Sequence, residues 1–159
     1  SKLLLDVVNI VITILYKYNL RKIFSLGGNR MSVKMLHTCI RVMDLEKSLK
    51  FYQEALGLFI TRRKDFPEHK FSLVYLSNEE GGYEIELTYN YDVEKPYELG
   101  NGFSHIAVEA VDLEAMRDKH ISLGYEVTPF KGLPGTPPSY YFVTDPDGYK
   151  IEVIRAKYL

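Results

Sequence analysis

An internal repeat constrains the fold of this chain more than any other feature of its sequence. His37 and His105 are each followed seven residues later by Asp-Leu-Glu. A Leu-Gly dipeptide and a Gly-Tyr-x-Ile-Glu segment then recur in the same order, with the matching positions 66 to 68 residues apart. Landmarks that recur in one order at a nearly constant offset predict two copies of a unit of roughly 55 residues.

Each copy is predicted to fold as β-α-β-β-β. Alternation over residues 36–43 predicts a first strand with His37, Cys39 and Arg41 on one face. After Asp44 and after Asp112, apolar residues recur at helical spacing until a glycine follows. Each segment is therefore predicted to be a helix, with the aspartate as its N-cap. The later strands are predicted at 58–64, 71–77 and 83–90, and again at 125–130, 139–144 and 149–155. A proline-rich loop at 129–138 is a candidate lid.

The net charge of −1 hides an uneven distribution. Residues 1–30 carry five basic residues and one acidic residue, so the remainder is acidic. We interpret 1–30 as a basic apolar leader. Three interpretations of it stay open: a non-native segment, an appended amphipathic helix or anchor, and a targeting peptide. The apolar run of this leader is short and polar for a membrane span. The balanced charge of the whole chain argues against a nucleic-acid partner. Residues 31–159 are predicted to form one domain, with module one at about 35–91, a linker at 92–102 and module two at about 103–155.

Each copy places a histidine near the start of its first strand and a glutamate in its last strand: His37, Glu86, His105 and Glu152. These four side chains converge if the units meet about a pseudo-twofold axis. Imidazole nitrogens and carboxylate oxygens suit a divalent metal, and an octahedral ion would keep two positions for water or substrate. A lone strand histidine or glutamate is usually structural or solvent-facing, but its presence at matching positions of two diverged copies favours a metal site. The single cysteine excludes a multi-cysteine zinc site.

Arg41 and Asn90 lie four residues beyond the first histidine and the first glutamate, on the same strand faces. Four strand residues span about 13 Å, so this cation and this amide are predicted well away from the metal. They suit one end of an elongated anionic ligand. The alternative is that Arg41 pairs with a nearby carboxylate. Of the other histidines, His120 is predicted to pack in the core and His69 to lie on the surface.

Six segments together resemble glyoxalase I, a family of the vicinal-oxygen-chelate superfamily: 36–42, 48–52, 56–57, 85–90, 102–107 and 145–152. The resemblance covers about 35–155. It implies an α+β fold of two βαβββ modules that form an eight-stranded open barrel, and a homodimer. It also implies the metal-dependent conversion of the methylglyoxal-glutathione hemithioacetal to S-lactoylglutathione through an enediolate.

The resemblance assigns roles to individual residues. It implies that His37, Glu86, His105 and Glu152 hold the metal. Glu152 would act as the base, with Glu86 on the opposite face of the substrate. Arg41 and Asn90 fall where the family binds glutathione, and Lys131 would grip its glycine carboxylate. Pro134 stands where members often have a second basic residue, which leaves both glutathione and another thiol as candidates.

The chain lacks the insertions of zinc-dependent members, so Ni²⁺ is the favoured metal, with Co²⁺ and Zn²⁺ as alternatives. The resemblance implies a cytoplasmic enzyme with neither a nucleic-acid nor a membrane partner. Two other functions remain open: an acyl-CoA epimerase of the same superfamily, and a non-catalytic module that binds a metal or ligand.

Overall fold

The computed structural model describes residues 33–156, so the prediction for 1–30 lies outside the described residues. The elements of the first module are β1 (His37–Val42), α1 (Leu45–Glu54), β2 (Phe59–Phe66), a short 3₁₀ turn (Pro67–His69), β3 (Phe71–Ser77) and β4 (Glu84–Asn90). Those of the second are β5 (Ile106–Ala110), α2 (Leu113–Ser122), β6 (Tyr140–Thr144) and β7 (Lys150–Arg155). No helix within the described residues is long and apolar enough to cross a membrane.

The strands form two sheets with matching connectivity. The first sheet has the order β1-β4-β3-β2, and the second has the order β5-β7-β6. In each module the first strand runs parallel to the last, and the remaining neighbours are antiparallel. The sequence repeat is therefore also a repeat of sheet topology, with the first and last strands of each copy side by side.

The second module lacks a regular counterpart of β2. The predicted strand at 125–130 is reduced to isolated bridges, Val127 with Val143 and Lys131 with Tyr140. The segment runs beside β6, but the two bridges differ by one residue in register, and the Phe142 N–H donates to the Thr128 hydroxyl rather than to a backbone carbonyl. The described strands thus number seven rather than eight, and the barrel is not closed within this chain.

Both helices begin and end where the sequence predicts. The Asp44 carboxylate accepts a hydrogen bond from the backbone N–H of Lys47, and Asp112 accepts one from Ala115. Each bond satisfies an N–H group that has no partner within its helix. Gly57 follows the first helix with a φ of +69°, in the left-handed region that glycine adopts at little cost.

Each sheet buries one face and leaves the other partly exposed. In β1, Ile40 and Val42 are buried, whereas His37 and Arg41 on the other face are exposed. The buried faces and the helices form one core that the modules share, and its fully buried side chains include Phe51, Tyr52, Leu76, Leu87, Leu113, Tyr141, Val143 and Ile151. Each such apolar side chain contributes about 1.5–3 kcal/mol. The candidate ligands therefore lie on the sheet faces that point away from this core.

The turn between β6 and β7 ties the two modules together. Asp147 accepts hydrogen bonds from the Met43 backbone N–H at 2.9 Å and from the Ser48 hydroxyl at 3.1 Å. The Tyr52 hydroxyl donates to Asp145 at 2.9 Å. All three donors belong to module one, so this turn fixes the start of β7, the strand that carries Glu152, against module one.

Candidate metal centre

The first His–Glu pair lies on two neighbouring parallel strands. His37 on β1 is opposite Glu84 on β4, so Glu86 lies two residues further along on the same face. The distance between His37 Nε2 and Glu86 Oε2 is 3.0 Å. The histidine side chain is one-third exposed, whereas the glutamate side chain is nearly buried.

The second pair repeats this arrangement. His105 directly precedes β5, and Glu152 lies on β7 opposite Ala107. The distance from His105 Nε2 to Glu152 Oε2 is 3.1 Å, and the histidine side chain is again one-third exposed. The two copies therefore present the same donor atoms at almost the same separation.

The donor set of each pair fits a divalent metal. Adjacent ligands of an octahedral ion with bonds of about 2.1 Å lie about 3.0 Å apart, which matches the separation within each pair. Among the described residues, no group of three or more His, Cys, Asp or Glu side chains of one chain could hold a metal ion. The structure therefore brings His37 to Glu86 and His105 to Glu152, but it does not join the two pairs.

The carboxylate of Glu86 sits among several donors. Burial raises the pKa of Glu86, but hydrogen bonds from Tyr75, Thr88 and Cys39 and the nearby His37 outweigh burial and hold the pKa below its usual value. The Thr88 hydroxyl donates to Glu86 Oε1 at 3.0 Å. The Thr88 bond and the lowered pKa both favour the ionised form of the Glu86 carboxylate.

Arg41 and Asn90 come together at a side chain from the linker. The Asn90 amide donates to the Tyr97 hydroxyl at 2.8 Å, and the Arg41 guanidinium carbon lies 5.9 Å from the centre of the Tyr97 ring. Within residues 33–156, no carboxylate lies within ion-pair distance of Arg41, so the alternative of a carboxylate partner finds no support.

Lys131 lies on the second sheet rather than beside Arg41. Its backbone bonds with Tyr140 hold it at the edge of β6. Its ammonium nitrogen is 5.3 Å from the centre of the Phe142 ring, and Phe142 is the residue opposite Glu152. Lys131 therefore stands near the second pair, on the same sheet face.

The two remaining histidines have the predicted environments. His120 is fully buried, with Nε2 at 2.9 Å from the Ala55 carbonyl oxygen and Nδ1 at 3.1 Å from the Tyr141 hydroxyl. Burial lowers the pKa of His120, so this ring packs as a neutral group. His69 is exposed. Neither histidine belongs to the candidate metal centre.

Sequence reasoning missed the side chains that surround the first pair. Thr88 lies two residues after Glu86 on the same strand face. The alternation of side chains along a strand, which identified Asn90, could also have identified Thr88. Tyr75 lies opposite Glu86 on β3, a pairing that depends on the register of two strands. Tyr97 lies in the linker, where no periodic pattern exists to indicate it.

Comparison with known proteins identifies the family. The model of the glyoxalase/bleomycin resistance protein/dioxygenase superfamily matches residues 34–153. The lactoylglutathione lyase of Haemophilus influenzae is 44% identical over 128 residues, which cover 79% of this chain and 94% of that protein. A lactoylglutathione lyase of Neisseria meningitidis is 44% identical over 131 residues, which cover 79% of this chain and 92% of that protein.

A solved structure agrees with these relatives. The glyoxalase I of Leishmania major, described as trypanothione-dependent, matches with a TM-score of 0.69 and 37% identity over 78% of this chain and 87% of that one. The chain therefore belongs to the glyoxalase/bleomycin resistance protein/dioxygenase superfamily and, within it, to the glyoxalase I family.

Proposed function

We propose that this protein is a lactoylglutathione lyase, which converts the hemithioacetal of methylglyoxal and glutathione to S-lactoylglutathione. The observation that carries the proposal is the His–Glu pair, which occurs at the same place on the polar face of both sheets. Relatives that are 44% identical over most of the chain are lactoylglutathione lyases, which supports the same activity here.

Membership of the glyoxalase I family implies a divalent metal. We propose that His37, Glu86, His105 and Glu152 hold it. Each pair supplies one imidazole nitrogen and one carboxylate oxygen, which is half of the expected protein ligands. Because the pairs lie on different sheets and do not meet within one chain, we propose a homodimer in which each metal takes one pair from each copy. Ni²⁺ is the proposed metal, with Co²⁺ and Zn²⁺ as the alternatives.

The reaction consists of proton transfers, because the hemithioacetal and the thioester contain the same atoms. A proton leaves the carbon bonded to sulfur and reaches the neighbouring carbonyl carbon, while the hydroxyl proton passes from one oxygen to the other. A divalent ion would supply Lewis-acid polarisation of the two vicinal oxygens, which acidifies the C–H bond. Glu152 accepts the carbon-bound proton and delivers it to the next carbon. Glu86 stands on the opposite face of the substrate.

The glutathione part would extend along β1 and β4 from the metal. Arg41 offers a permanent cation and Asn90 an amide, and both lie next to Tyr97. Carboxylates such as those of glutathione bind well to a guanidinium, which donates through several N–H groups at once. Lys131 offers a second cation on the other sheet. Another thiol remains the alternative cosubstrate, since the Leishmania major relative is described as trypanothione-dependent. A cytoplasmic location stays a prediction.

Metal reconstitution tests the proposed function. The protein is stripped with a chelator, Ni²⁺, Co²⁺ or Zn²⁺ is added back separately, and thioester formation from methylglyoxal and glutathione is followed by absorbance. We expect no turnover without metal and the highest turnover with Ni²⁺, with the Glu152→Gln variant inactive in every case. The absence of turnover with all three metals would contradict the proposal. Turnover of an acyl-CoA ester instead would favour the epimerase.

A further inference from the structure

The two candidate carboxylates occupy matching positions in different surroundings. Glu86 lies opposite Tyr75 on one neighbouring strand and opposite Cys39 on the other. At the corresponding places Glu152 lies opposite Phe142 and Ala107. Two residues further along the strand, Thr88 corresponds to Ile154. In each of these three comparisons, module one has a hydrogen-bonding side chain where module two has an apolar one.

The aromatic rings themselves are placed alike. The Tyr75 ring meets the His37 ring edge-on with 5.6 Å between centroids, and the Phe142 ring meets the His105 ring edge-on at the same distance. The two rings therefore differ by the phenolic hydroxyl of Tyr75, a residue directly opposite Glu86 on the same sheet face. This hydroxyl has no counterpart next to Glu152.

The side chains of Tyr75 and Thr88 are themselves held in place. The Arg62 guanidinium carbon lies 3.4 Å from the centre of the Tyr75 ring, and Arg62 Nη2 is 2.7 Å from Glu84 Oε2. Tyr75 is also nearly fully buried. The Thr88 hydroxyl lies 3.2 Å from Cys39 Sγ and donates to the glutamate. A carboxylate that accepts a hydrogen bond from a side chain held in this way is restricted in its orientation.

Glu152 has no comparable support. In residues 33–156, the imidazole of His105 is the one side-chain group within hydrogen-bond or ion-pair distance of its carboxylate. Lys131 lies over the Phe142 ring and does not reach the glutamate. Glu152 can therefore turn away from its histidine without breaking any other bond within the described part of the chain.

We propose that Tyr75 and Thr88 are positioning residues that hold Glu86 as the fixed carboxylate of the metal centre. The apolar Phe142 and Ile154 leave Glu152 the mobility that a base needs. This inference rests on the proposed function, because it concerns how the two carboxylates divide the work of metal binding and proton transfer. The division of roles is then set by the neighbours of each carboxylate rather than by the carboxylates themselves.

Calorimetric titration of the chelator-stripped protein with Ni²⁺ tests the role of Tyr75 and Thr88 without any turnover. We expect Tyr75→Phe and Thr88→Val each to weaken Ni²⁺ binding by about 10- to 100-fold, because outer partners of metal ligands contribute on this scale. Tyr83→Phe is the matched control, since it removes a tyrosine hydroxyl that bonds Thr38 instead. This control should bind Ni²⁺ like the parent. Parent affinity in both Tyr75→Phe and Thr88→Val would overturn the inference.

The reverse substitution tests the mobility of Glu152. Phe142→Tyr adds a hydroxyl to a partly exposed ring opposite Glu152. We expect kcat to fall by roughly tenfold or more with KM nearly unchanged and Ni²⁺ affinity not weakened, a combination that a folding defect would not produce. An unchanged kcat would overturn the second half of the inference. A parent that binds none of Ni²⁺, Co²⁺ and Zn²⁺ would overturn the proposed function and this inference together. A parent that binds metal and turns over isolates the effect of each variant.

Discussion

Asp145, in the turn before β7, makes the free energy of unfolding depend on pH. Burial raises the pKa of Asp145 to about 6 from an ordinary value of 3.8, against opposing hydrogen bonds from Tyr149, Tyr52 and Asp147. Because the folded-state pKa is the higher one, the folded protein binds the proton more tightly than the unfolded chain. The stability this provides is fully present below about pH 4 and is lost as the pH rises through 6.

The substitution Asp145→Asn removes this titration at nearly constant shape. The amide oxygen can accept the two backbone N–H bonds from Asp147 and Tyr149 that the carboxylate accepts now, and the amide nitrogen can donate to the Tyr52 hydroxyl. A difference of about two pKa units corresponds to about 3 kcal/mol. Part of this change falls below pH 4, so the stability of the variant relative to the parent should increase by about 2 kcal/mol between pH 4 and pH 7.

Urea denaturation of the metal-free parent and variant at pH 4, 5, 6 and 7 measures this difference. The two chains differ in one titrating group, so the titrations of all other residues largely cancel when the free energies are subtracted. A difference that is independent of pH, or a variant that loses stability relative to the parent as the pH rises, would refute the reasoning.

Three further substitutions test separate parts of the structure. Asp147→Ala leaves the buried Ser48 hydroxyl and the Met43 N–H without their acceptor. Urea denaturation should therefore show a free energy of unfolding lower by about 1–3 kcal/mol. A smaller loss than in an exposed alanine variant would count against the contact between this turn and module one. Gly57→Ala places a residue with a Cβ atom in the left-handed region, which should lower the free energy of unfolding by about 1–2 kcal/mol. An unchanged midpoint of thermal unfolding would contradict the assigned φ. Arg41→Ala should raise KM for the glutathione adduct with little change in kcat, and steady-state kinetics showing the opposite pattern would remove Arg41 from the thiol end.

Local features of the fold could be predicted from the sequence because they depend on neighbours in the chain. The alternation over residues 36–43 and the N-caps Asp44 and Asp112 are all found as predicted. The strand predicted at 125–130 failed as a regular element, since its register against β6 shifts by one residue between the two bridges.

For the candidate site, the sequence predicts only which residues lie at matching positions and on which face of a strand each one lies. The repeat indicates one histidine and one glutamate at matching positions of each copy, and the structure brings the two residues of each copy close in space. Whether the two pairs meet depends on how the modules pack, which neither repeat nor periodicity specifies. Tyr75 escaped notice because the register of β3 against β4 follows from a loop between them rather than from a pattern. The ligand roles of the four residues stay a prediction.

Subunit complementation tests the central claim most directly. His37→Ala and His105→Ala each damage a different pair, so each homodimer should be inactive with Ni²⁺. When equal amounts are unfolded together and refolded, half of the dimers should be mixed, and each mixed dimer should contain one intact site built from the undamaged pair of each copy. We predict recovery of roughly a quarter of the parent activity. A refolded mixture as inactive as either variant alone would contradict a metal centre shared between two copies.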